Sequence, residues 1–190
     1  MSLKECFTLD IYSRTKNFPG FGFILKNLIF DPGYRVVVYY RLSIFFKRLQ
    51  FLKLFFYLIS KLIIIRLCRV PGVELRTQFD IGEDLKVYHP HDIVIGAGAR
   101  VGKNVTIFNG VTLGARILKE LDETQENLTR YPVVGDGVTI FSGAKIIGPV
   151  TVGNNSIVGA NSVVNKSFPE RSVIAGAPAR LITIRKGGSQ

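Results

Sequence analysis

Ten aliphatic residues spaced six apart dominate this sequence: Ile95, Val101, Ile107 and Leu113, then Val134, Ile140, Ile146, Val152, Val158 and Val164. The fifth residue of each unit is small or branched, as at Ala99, Val105, Val111, Val138, Ala144, Val150, Ser156 and Ser162. Glycine follows the aliphatic residue at Gly96, Gly102, Gly135, Gly153 and Gly159. A period of six fits neither a helix, which repeats every ~3.6 residues, nor an alternating strand, which repeats every ~2. It is the pattern of a parallel β-helix built from hexapeptide repeats. Each short strand sends its aliphatic side chain into a shared core and then turns a corner. Three sides close one triangular coil of about 18 residues. The small fifth residue fits the corner, and Gly and Asn provide the tight turns. The fold class is therefore mainly β, a parallel β-helix preceded by a short α-helical segment.

The 190 residues are 47% hydrophobic, which excludes a disordered chain. The net charge of +11 is unevenly placed. Residues 1–72 hold 12 Lys and Arg against 3 Asp and Glu, whereas residues 73–190 hold 13 against 11. The basic character thus belongs to the N-terminal segment. Within it, apolar runs such as Val36–Tyr40, Leu54–Ile59 and Leu62–Ile65 are interrupted by Arg41, Lys47, Arg48, Lys53, Lys61, Arg66 and Arg69. A transmembrane helix is not expected there, because no run of about 18 uncharged residues exists. Two readings stay open: amphipathic helices packed on the β-helix, or interfacial helices lying on anionic lipid. The charge placement predicts a preference for anionic membranes. Nucleic acid is not an expected partner, since the basic residues alternate with aliphatics and no recognition module is present. Cys6 and Cys68 have neither metal spacing nor a disulfide framework, so they read as reduced thiols. With no signal peptide recognisable, the expected location is the cytoplasm, with the basic segment at the inner face of the membrane.

Pro71–Gly72 divides the chain into a basic amphipathic helical segment, 1–72, and a repeat domain, 73–190. The repeat is interrupted twice. From Val87 to Ile95 the step is eight, so two extra residues leave the corner within Tyr88–Val94. From 115 to 133 a charged segment cannot form a coil and reads as an excursion loop. Regular coils end near Val164, and the segment Val173–Arg180 closes the domain.

The chain has two histidines, His89 and His91, and both lie in the first interruption. A histidine pushed out of a corner is placed to meet a ligand, and it suits proton transfer near neutral pH. His89 is the candidate base; His91 reads as a solvated turn residue. Two histidines are too few for a metal site, and no metal is expected.

The segment Val87-Tyr-His-Pro-His-Asp-Ile-Val-Ile-Gly96, with Val105-Thr-Ile-Phe-Asn-Gly-Val-Thr-Leu-Gly114 and the terminal Ala175-Gly-Ala-Pro-Ala-Arg180, resembles the serine acetyltransferase group of hexapeptide-repeat acyltransferases. Asp31-Pro-Gly-Tyr-Arg35 and Tyr40-Arg41 resemble that group's helical lead-in. The resemblance spans about residues 30–185. It implies a left-handed β-helix, a homotrimer, and acetyl-CoA held between neighbouring subunits. It also implies direct attack of a substrate hydroxyl on the thioester, with His89 as general base.

The departures bear on the acceptor. Where the group has Asp before the histidine, this chain has Tyr88. Its Arg-His-Pro motif reads Arg130-Tyr131-Pro132 here, and Glu74 replaces the Asp that meets the serine ammonium. With Asp92, these residues form the expected acceptor site. The substitutions predict a sugar or surface-glycan hydroxyl as acceptor, as in acetyltransferases of polysaccharide synthesis, with a divergent serine O-acetyltransferase as the alternative. For the cofactor, the resemblance implies Ser142, Gly143, Gly159 and Ala160 along the pantetheine, with Gly114, Ala175 and Pro178 as further cofactor-binding residues. Lys145 and Arg180 are expected near the CoA phosphates, with Lys166 and Arg185 as further cations. A non-enzymatic β-helix scaffold is the weakest reading, because a plain coil needs no histidine bulge.

Overall fold

A computed structural model of the chain describes residues 26–28, 30–48, 72–75, 80–116 and 131–186. Helix α1 (Pro32–Arg48) begins on an Asp-Pro pair. Asp31 Oδ1 accepts a hydrogen bond from the Tyr34 amide at 2.9 Å, which is an N-cap. Pro32 fills the first helical position, where the missing N–H has no intrahelical partner to lose.

The strands are short and follow one another around three sides. The first coil is β1 (Val73–Leu75), β2 (Asp80–Ile81) and β3 (Lys86–Val87), and the second is β4 (Ile93–Ile95), β5 (Arg100–Val101) and β6 (Thr106–Ile107). The third is β7 (Thr112–Gly114), β8 (Val133–Val134) and β9 (Thr139–Ile140), and the fourth is β10 (Lys145–Ile147), β11 (Thr151–Val152) and β12 (Ile157–Val158). Strands β13 (Val163–Val164), β14 (Ser172–Gly176) and β15 (Ala179–Ile184) complete the chain. Three sheets result, in the orders β1-β4-β7-β10-β13, β2-β5-β8-β11 and β3-β6-β9-β12-β14-β15, and all pairs but β14–β15 are parallel. The architecture is the parallel β-helix expected from the repeat, left-handed as the resemblance implies.

The pairing register measures each coil. Ile95 pairs with Leu113 and Ile146 with Val164, each a step of 18. Val87 pairs with Ile107, a step of 20, which carries the two extra residues of the first interruption. Ile107 pairs with Ile140, a step of 33, so the excursion adds 15 residues without disturbing the stack. The coil continues past Val164, contrary to the sequence reading. Phe168 bridges Val152, and Ile174 pairs with Val158 after only 16 residues. Phe168 replaces the expected aliphatic, which hides this last turn from a search for Ile, Leu and Val.

The aliphatic positions Ile107, Leu113, Ile140, Ile146, Val152, Val158 and Val164 are fully buried, and the fifth-position residues are buried beside them. Strand amides donate to the next coil, as Gly82 N does to Val101 O at 2.8 Å and Tyr88 N to Ile107 O at 2.9 Å. The carbonyls of the first coil therefore point out of the N-terminal end. A solenoid end needs a cap, and α1 supplies it. Val37 and Tyr40 join the core, and the buried Arg41 donates to Ile81 O at 3.0 Å and to Gly82 O at 2.6 Å. Gly33 packs so closely that a methyl group there would overlap the Val87 carbonyl oxygen. Within α1, Val37, Tyr40 and Arg41 face the β-helix, so these residues follow the packed reading and give the membrane reading no support. The remaining apolar runs, 49–71, lie outside the described residues. Among the described residues no helix is long and apolar enough to cross a membrane.

Candidate active site

One corner of the β-helix, between the third and first sheets, collects most of the expected site residues. Its rungs are tied by a repeated backbone bond. Gly110 N donates to His91 O at 2.7 Å, Gly143 N to Asn109 O at 2.8 Å and Asn161 N to Ser142 O at 2.9 Å. These bonds align His91 with Asn109, Ser142 and Ala160. They also align Asp92 with Gly110, Gly143 and Asn161, all four at positive φ between 54° and 73°. Tyr88 then falls with Phe108, Phe141 and Gly159. The two residues left over are His89 and Pro90, which are the insertion itself. His91 holds an ordinary corner position. His89 is exposed, with φ of 50°, and its carbonyl accepts from His91 N at 2.7 Å, while Pro90 is buried and anchors the insert.

Ser142, Gly143, Lys145, Gly159 and Ala160 descend the same corner below His89. Ser142 Oγ donates to Asn109 Oδ1 at 2.8 Å. Lys145 Nζ donates to Gly110 O at 2.5 Å and to Thr112 Oγ1 at 3.2 Å, so this cation braces the corner. Ala175 lies beside Gly159, where an added Cβ would meet the Ala175 methyl at 3.2 Å. Pro178 and Arg180 are exposed at the β14–β15 turn, and Lys166 lies 5.6 Å from the centroid of the Phe168 ring.

Other expected residues are elsewhere. Gly114 is at the far end of β7, and the Tyr131 ring lies over Gly96 at the far end of β4. Both are across the first sheet from His89, and Tyr131 packs against the core. Glu74 belongs to β1, paired with Val94. Arg130 lies outside the described residues. The Tyr88 ring stacks on Phe108, with centroids 5.3 Å apart.

The sequence reading assigned no site role to Asp31. Its Oδ1 lies 3.3 Å from the position a Gly33 Cβ would take against Val87 O, so a carboxylate stands beside the strand that leads into the insert. The docking of this helix start on β3 carries no signal in the sequence.

The left-handed β-helix with a histidine insert heading a corner of small residues has counterparts among known proteins. Residues 131–166 match the family described as bacterial transferase hexapeptide (six repeats). The chain is 40% identical over 111 residues to the serine acetyltransferase of Staphylococcus xylosus, covering 58% of this chain and 48% of that protein. It thus spans about half the length of the curated relatives it matches. The serine acetyltransferase structure from Vibrio cholerae superposes with a TM-score of 0.75 at 29% identity, over 97% of this chain and 67% of that one. A serine acetyltransferase in complex with CoA superposes at 0.71 with 28% identity, over 95% and 70%. Residues 131–166 are thus similar to hexapeptide-repeat transferases, and serine acetyltransferases are among the chain's homologues. This overturns the expectation of a sugar or glycan acceptor. The two tyrosines on which that expectation rested have partners within the chain: Tyr88 stacks on Phe108, and Tyr131 packs over Gly96.

Proposed function

We propose that the protein is an acetyl-CoA-dependent serine O-acetyltransferase. The observation that carries this reading is the His89–Pro90 insert, heading the corner of a chain whose homologues are serine acetyltransferases. His89 is the general base: it takes the proton from the attacking serine hydroxyl and returns it to the departing thiolate sulfur. Ala160 is exposed on this corner, along which an extended thioester arm would run, and Arg180 is an exposed cation for its phosphates. Lys145 is held by the corner and braces it. Asp31 and Asp92 offer carboxylates for the serine ammonium, with Arg130 for its carboxylate. CoA binding between subunits fits a ring of three copies, in which the His89 edge of one copy faces the Gly114 and Tyr131 edge of the next. Light scattering at the mass of three chains supports that ring, and a fully active monomer contradicts it. The same reading assigns the enzyme to the cytoplasm, where its thiols stay reduced. The test of function is CoA thiol release from acetyl-CoA with L-serine as acceptor.

A further inference from the structure

We propose that Phe108, seated on Phe141, is a positioning residue that holds His89 through Tyr88. The inference rests on His89 being the base. Tyr88, Phe108 and Phe141 each follow the last core residue of β3, β6 and β9, whose register sets Val87, Ile107 and Ile140 in line. The rings form a ladder. Tyr88 and Phe108 have centroids 5.3 Å apart and planes at 24°, and Phe108 and Phe141 are 5.1 Å apart at 15°.

The core does not require this ladder. Val87, Ile107 and Ile140 already fill it, and Tyr88 and Phe141 remain 46% and 39% exposed. The ladder also stops one rung on, where Gly159 takes the equivalent place. It is therefore local to the insert.

The insert has a physical need for it. His89 sits in the left-handed region that residues other than glycine rarely adopt. The backbone bonds that follow it, His91 N to His89 O and Gly110 N to His91 O, fix its downstream side. Upstream, Tyr88 is fixed twice, by its amide on Ile107 O at 2.9 Å and by its ring on Phe108. A Tyr88 free to turn would pass its motion to the imidazole of the next residue. A base misplaced by about 1 Å costs up to about a hundredfold in rate.

The decisive variant is Phe108→Leu, which keeps an apolar side chain but removes the ring. Two readouts are taken on the full chain. Kinetics with acetyl-CoA and L-serine are expected to show kcat lowered about 10- to 100-fold, with KM for acetyl-CoA within about twofold of wild type. Phe108→Tyr, which keeps the stack, is expected to restore kcat. Proton NMR of the imidazoles needs only His91→Gln for assignment, because the chain has two histidines. The His89 signal is expected to shift or broaden in Phe108→Leu and to return in Phe108→Tyr. An unchanged His89 signal together with wild-type kcat in Phe108→Leu overturns the proposal, as does an equal loss in Phe108→Tyr. If the wild-type protein transfers nothing to serine, the acceptor reading falls, and the His89 signal alone decides the ladder: unmoved by Phe108→Leu, it overturns it.

Discussion

Replacing Gly33 by alanine sets two effects of opposite sign against each other. Gly33 lies in the first turn of α1 at an ordinary helical φ, so alanine gains up to about 1 kcal/mol of helix propensity. The added methyl, however, would overlap the Val87 carbonyl oxygen, an atom of the β3 backbone. That backbone is tied to the next coil through the Tyr88 amide at 2.9 Å, so the helix must yield. Overpacking against a fixed neighbour costs about 1–3 kcal/mol. The overlap wins, and a net loss of about 1–2 kcal/mol lowers Tm by about 2–8 °C for a chain of this length. Because Val87 is two residues before His89, and Asp31 two before Gly33, kcat should fall as well. Thermal unfolding followed by circular dichroism, with thiol-release kinetics on the same samples, measures both. A Gly33→Ala protein with raised Tm and wild-type kcat would refute the close docking of α1 on β3.

Two further outcomes follow from the same cap. Arg41→Met removes the donors to Ile81 O and Gly82 O, and a buried acceptor left without a partner costs about 1–3 kcal/mol; urea unfolding should show a lower midpoint at unchanged slope, and an unchanged midpoint would deny Arg41 its capping role. The Tyr40 hydroxyl is pushed up to about 12, chiefly by burial, with Arg41 opposing and Asp80 adding to the shift. The folded chain then keeps this proton while the unfolded chain loses it near its ordinary value of about 10, so stability present below that pH declines as pH rises towards 12. Unfolding midpoints measured across that window should fall less steeply in Tyr40→Phe than in wild type, and equal slopes would contradict the burial.

The β-helix was legible because its rule is one-dimensional: a core position every six residues survives without knowledge of contacts. The length of the Val87–Ile95 step exposed the interruption for the same reason. Which two of its residues are extra was not legible, since that depends on Gly110 N reaching His91 O from the next coil. The aromatic ladder was hidden likewise: its rings are 20 and 33 residues apart, and only the coil register aligns them. The docking of α1 rests on the absence of a side chain at Gly33 and on carbonyls left open by the first coil, neither of which a hydrophobic pattern encodes. Tyr88 and Tyr131 misled the reading of the acceptor because an aromatic side chain in a sequence does not declare its partners. Here the partners are Phe108 and Gly96.

The central claim is acetyl transfer to serine by His89, and one comparison tests it most directly. Thiol release from acetyl-CoA is followed with L-serine as acceptor, for the wild-type protein, His89→Ala and His91→Gln. The wild type is expected to reach a kcat/KM for L-serine of at least about 10⁴ M⁻¹s⁻¹. His89→Ala should lose about 10²- to 10⁴-fold in kcat while remaining folded, since His89 is an exposed insertion residue. His91→Gln should stay within about threefold of wild type, as an ordinary corner residue outside the proton path. Serine-dependent release that survives in His89→Ala, or no such release from the wild-type protein, would contradict the account.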